Sequence, residues 1–183
     1  MASTLKIDTV TTPDGTGNIT FNRPIVADGS NLTNMTVGKI LQVVSATKTD
    51  TATNTNTSFT TISGLSVDIT PSATSSKILI IWNVNVNGNN DGSCIGIIRE
   101  STSIALGDAS GSTIQCTANT YTTLGGEIKN VAGSHLDSPS STSEQTYAVQ
   151  WKSEGNTDYL NRAESEGTSS RCISSITVME VGA

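Results

Sequence analysis

Aromatic side chains are scarce in this sequence: two Phe, two Trp and three Tyr make up 4% of 183 residues. A large core built on rings is therefore excluded, because rings supply much of the buried area wherever they are common. Histidine occurs once, at His135, which removes histidine-rich metal centres. Cys94, Cys116 and Cys172 are an odd number with no CxxC spacing, so neither a zinc site nor a secreted disulfide framework is suggested. A Cys94–Cys172 bridge stands against the simpler reading of small buried thiols.

Charge is also thin. Only 14% of residues are charged, and the net charge is -6 with a pI near 4.6, so the basic patch needed to displace counterions from nucleic acid is missing. No stretch approaches the roughly 20 apolar residues of a membrane span, and MASTLKIDTV has neither the charged start nor the apolar run of a signal peptide. The expectation is a soluble protein made in a cytoplasm, with no nucleic-acid partner and no membrane insertion. Hydrophobic residues are 34%, below the usual globular share. Such a thin core favours self-association, which buries apolar surface that one copy leaves wet.

What the chain does have is a succession of short β patterns. KILQVVSATKT (Lys39 to Thr49) and SFTTISGLSVDIT (Ser58 to Thr70) alternate, the second ending at Pro71. KILIIWNVNVN (Lys77 to Asn87) is the strongest. Its ILIIW half is apolar on both faces, as in a central strand, and its NVNVN half alternates, as if one face met solvent. CIGIIRE, SIALG, TIQCT, EIKNVAG, QTYAVQWKS, DYLNRAE and CISSITVMEV follow, with turn residues between them. No window carries a helical period. The prediction is an all-β, antiparallel β-sandwich, jelly-roll-like, with the last strand inside a sheet. Thr49 to Ser58 and Ala132 to Gln145 are predicted as long functional loops.

The start is different. LKIDTVTTPDGTGNITF alternates through Leu5 and Ile7, turns at Pro13-Asp14-Gly15 and resumes through Ile19 and Phe21. A hairpin is marginal without neighbours, and the residues after it offer little to pack on. Residues 1–37 are therefore predicted to be an attachment arm, with Leu5, Ile7, Ile19 and Phe21 as its assembly residues, and 38–183 the sandwich domain.

Catalytic patterns are poor. His135 and Asp137 are two apart and share a face if extended, yet no nucleophile elbow accompanies them or Cys116. The run Asn83, Asn85, Asn87, Asn89, Asn90, Asp91 has oxygen donors but lacks the carboxylates of a calcium loop. Glu154, Asp158, Glu164 and Glu166 look like a charged hairpin face rather than a glycosidase pair. No cofactor, metal site or catalytic residue is expected. The clustered aromatics Tyr147, Trp151 and Tyr159 read either as a saccharide-stacking platform or as core packing.

Taken in order, MASTLKIDTV, ILQVVSATKTDT, TISGLSVDITPSATSSKILIIWNVNVNG, HLDSPSSTSEQTYAVQWKS and the final SSITVMEV resemble virion structural proteins of tailed bacteriophages. The resemblance is greatest to the short tail-fibre-like proteins of phages infecting cyanobacteria. It implies a non-enzymatic virion component, assembled in the host cytoplasm, whose partners are itself as a homotrimer, other tail or capsid proteins, and a host surface glycan. Two roles follow: a tail fibre or tail-tip adhesin, or a capsid decoration (cement) protein. The strand order is also similar to the trimeric heads of complement-like and tumour-necrosis-factor-like proteins, a likeness of fold alone. Only residues 22–37 stand between the predicted hairpin and the first domain strand, which excludes a long shaft.

Overall fold

The structure, a computed structural model, describes residues 39–165 and 170–183. The predicted arm residues Leu5, Ile7, Ile19 and Phe21, and Glu166, lie outside them. Eleven strands follow in order: β1 (Ile40–Lys48), β2 (Ala52–Asn54), β3 (Thr60–Ile69), β4 (Lys77–Asn87), β5 (Gly92–Arg99), β6 (Thr102–Ile104), β7 (Ala118–Tyr121), β8 (Lys129–Asp137), β9 (Gln145–Ser153), β10 (Asp158–Leu160) and β11 (Ser174–Val181). No helix occurs among the described residues. The all-β expectation holds.

Two antiparallel sheets form the sandwich. In the first, β4 is central. β8 runs along one side of it, while β11 and then β1 flank the first half of its other side, and β10 and then β2 the second half. In the second sheet the order is β3, β9, β5, with β7 and β6 sharing the far edge of β5. Successive long strands mostly change sheet, as in a jelly roll, so that the inward residues of both sheets meet in one core.

The sequence pattern accounts for that core. Ile78, Ile80, Trp82, Val84 and Val86 occupy alternate positions of β4 and are all buried, and Tyr147, Val149 and Trp151 of β9 do the same from the other sheet. Each such aliphatic contributes roughly 1.5–3 kcal/mol on burial. Gly133 of β8 lies opposite Trp82; a Cβ there would come within 2.5 Å of the indole, so the thin core closes around a ring by omitting a side chain.

Three boundaries differ from expectation. TIQCT is irregular, and β7 begins only at Ala118, because the Ile97 N–H donates to the Thr117 hydroxyl (3.0 Å) in place of a ladder bond. Ala132 to Asp137, predicted as loop, continues β8, since every residue of it pairs with β4. The Thr49 to Ser58 loop contains β2, whose Asn54 is buried opposite Asp158.

Candidate functional site

Of the predicted saccharide platform, Tyr147 is 0% exposed and Trp151 4%. Both point inward from β9, into the apolar cluster, and this removes them as stacking surfaces. Tyr159 belongs to the other sheet, is half-buried, and has the Arg162 guanidinium 4.3 Å above its ring centre. The three aromatics therefore make no common site, because strand parity sends Tyr147 and Trp151 to the core.

His135 and Asp137 do share the inner face of β8, opposite Ile80 and Ile78. Asp137 is engaged elsewhere: its Oδ2 accepts from Arg99 (2.6 Å) and from the Tyr147 hydroxyl (2.7 Å). Burial pushes the Tyr147 phenol above its ordinary range, helped by its bond to Asp137. The Arg99 guanidinium is held charged: burial opposes this, but the Asp137 carboxylate outweighs it. This is a structural ion pair spanning the two sheets.

The oxygen-rich run is dispersed. Asn83 and Asn85 lie on the outer face of β4, Asn87 is buried and donates to the Gly125 carbonyl (2.9 Å), and Asn89 to Asp91 form the β4–β5 turn. Among the described residues, no group of three metal-ligating side chains is placed to hold an ion. All three cysteines are free thiols; Cys94 faces Glu154 and Cys116 rather than Cys172.

Two surfaces stand out. The first is the outer face of the first sheet. Register places Val43, Met179, Leu79 and Leu136 in one row across β1, β11, β4 and β8. The next rows are Ser45, Thr177, Ile81 and Ser134, then Thr47, Ser175, Asn83 and Ala132. None of the twelve is charged, in a chain of net charge -6, and Val43, Leu136 and Ile81 are 55%, 47% and 40% exposed. Sequence reasoning expected ILIIW to be covered on both sides, whereas this structure covers only one. The contrast with β5 is direct: its outward Cys94, Gly96 and Ile98 are buried, with the Phe59 ring lying against Gly96.

The second surface is the end of the sandwich opposite the start of β1. Here the loops 88–91, 122–128, 154–157 and 161–165 are knit together. Asn156 donates to the Asn89 carbonyl (3.0 Å), Asn89 to Glu164 (3.2 Å), and the Asp91 carboxylate accepts from the Gly92 and Asn156 amides. Asn89 and Asn90 both have positive φ (47° and 64°), a conformation that asparagine tolerates better than most residues. Beneath this end Asp158 is fully buried. Its Oδ1 accepts from Ser93 (2.6 Å), but its Oδ2 has no partner, and neither has the Nδ2 of the cross-strand neighbour Asn54. Burial raises the Asp158 carboxyl to about 7 against the Ser93 bond, and the charges of Asp91 and Glu154 add to the rise.

No protein-family model matches the chain, and no curated protein matches it.

Proposed function

We propose that this chain is a non-enzymatic structural component of a tailed-phage virion: a trimeric tail-fibre or tail-tip protein that attaches through its N-terminal arm and meets the host surface with its loops. The observation that carries this reading is the uncharged twelve-residue patch on the outer face of the first sheet, bordered by Lys77 at the start of β4. A face depleted of charge with apolar residues at one end has the composition of a buried interface core, and copies carrying net charge -6 approach each other at least cost where no charge is present. A three-fold arrangement closes the assembly without open ends. The loop platform lies at the opposite end of the sandwich from the start of β1, which suits attachment at one end and presentation at the other.

The second reading, a capsid decoration protein, is favoured by the short stretch available as a shaft, residues 22–37. Gold-labelled antibody on intact virions separates the two. Label confined to the tail supports the fibre, and label spread over the head supports decoration. Sedimentation of the pure protein tests the assembly face: the wild type is expected to sediment as a trimer, and Leu136→Lys, which adds three charges per trimer to the apolar row, as a folded monomer that keeps the wild-type circular dichroism spectrum. A wild type that remains monomeric at high concentration would remove the assembly argument.

A further inference from the structure

Tyr121 is 60% exposed, the most open aromatic among the described residues, and it stands on the outer face of β7 at the loop end. Its phenol leans on the Asn90 carbonyl (3.4 Å), and its backbone pairs with Gly92. Asn119, two residues earlier on the same face, donates to Glu154 Oε1 (2.8 Å), which also accepts from Cys94 Sγ (3.1 Å). The Glu154 carboxylate lies over Gly92, where a Cβ would collide with its Oε2, and its backbone N–H donates to the Gly92 carbonyl (3.1 Å). Gly92 is thus the reason that a carboxylate and a tyrosine ring, on β9's end and on β7, can sit beside each other across β5.

From this geometry we infer that Tyr121, Asn119 and Glu154 form a binding subsite for a neutral saccharide. A sugar ring offers an apolar C–H face with hydroxyls around its rim. The open tyrosine face suits the first, and the fixed carboxylate and amide suit the second, since a carboxylate accepts strongly from hydroxyl donors. The nearby acids Asp91 and Glu154 exclude anionic sugars by like-charge repulsion. Glu154 and Asn119 are bonded to each other before any ligand arrives, so little side-chain ordering is needed on binding. Each subsite is shallow and weak, and three copies in one trimer multiply its effect. The assignment rests on the host-contact reading above.

The test uses the full-length protein and saturation-transfer NMR with methyl glycosides of glucose, galactose, mannose and N-acetylglucosamine. Saturation of ring C–H protons is expected for at least one of them, reduced at least tenfold by Tyr121→Ala and clearly weakened by Glu154→Gln. Tyr159→Ala is expected to leave it unchanged. Each variant is checked for the wild-type melting temperature, which an exposed residue such as Tyr121 should preserve. No transfer to any of the four glycosides, or undiminished transfer in Tyr121→Ala, would overturn the subsite. Head-only label on virions would instead overturn the host-contact reading while leaving saccharide binding as measured, so the two failures are distinguishable.

Discussion

At the end of the sandwich where β1 begins, Glu180 and Asp137 flank Ile78 of β4 on its two sides, and both carboxylates are bonded. Glu180 accepts from the Ser72 amide (2.7 Å), the Ser72 hydroxyl (2.6 Å) and Gln42 (2.7 Å). At the other end, Asp158 is equally buried but keeps one oxygen without a partner, under a surface of positive-φ asparagines. One end is closed by satisfied charge. The other stores unsatisfied polarity beneath its exposed loops, where strained and unpaired groups tend to collect near functional surfaces. The difference teaches that fully bonded and partly unsatisfied buried carboxylates are segregated to opposite ends of the strands.

The most severe way to break the closed end is Asp137→Ala, which leaves Arg99 and Tyr147 without their shared acceptor. Loss of one partner from a buried pair costs about 3–5 kcal/mol, so urea unfolding should show a loss of that order; a loss under about 1 kcal/mol would mean that Arg99 finds water instead.

A titration sharpens the contrast. The Asp158 carboxyl is raised from 3.8 to about 7, so between those values the folded state keeps a proton that the unfolded state has released. Stability is therefore highest at the acid side of this window and declines as pH rises through it, by a few kcal/mol at most. Melting temperatures between pH 4 and pH 8 are expected to fall in the wild type and to be flat in Asp158→Asn, with the variant the more stable at pH 8.

The closed end responds with the opposite sign and a smaller effect. Burial works against the Glu180 charge, but hydrogen bonds from Ser72, Ser76 and Gln42 outweigh it and bring the carboxyl from 4.5 to about 2. Its contribution is present above 4.5 and is lost as pH falls toward 2. Glu180→Gln is expected to lower stability by about 1.5–3 kcal/mol at pH 7 and to flatten the acid limb of a melting series carried down to pH 2. An acid limb unchanged in the variant would assign that limb to other carboxylates.

Much of this was legible in the sequence. The alternation of KILIIWNVNVN placed Ile78, Ile80 and Trp82 on one face and Asn83 and Asn85 on the other, because a strand has a period of two. QTYAVQWKS matched β9 residue for residue. The same parity rule, applied to SITVMEV, puts Glu180 inward with Ile176 and Val178, and applied to QTYAVQWKS it puts Tyr147 and Trp151 inward with Val149. Proximity of aromatics in sequence was the weaker signal. Tyr121 had no signal of its own, since its neighbours are Gly92 of β5 and, across Gly92, Glu154 just past the end of β9.

The sequence by itself determined the class of the fold, the positions of most strands and which residues of each strand share a face, because these follow from local alternation and from turn residues that stop a strand. Tertiary structure alone decided which faces are covered, which carboxylates find partners 38 to 138 residues away, and that β5 is enclosed while β4 remains open on one side. Those outcomes depend on contacts between distant segments, whose entropy of closure and packing no local pattern encodes.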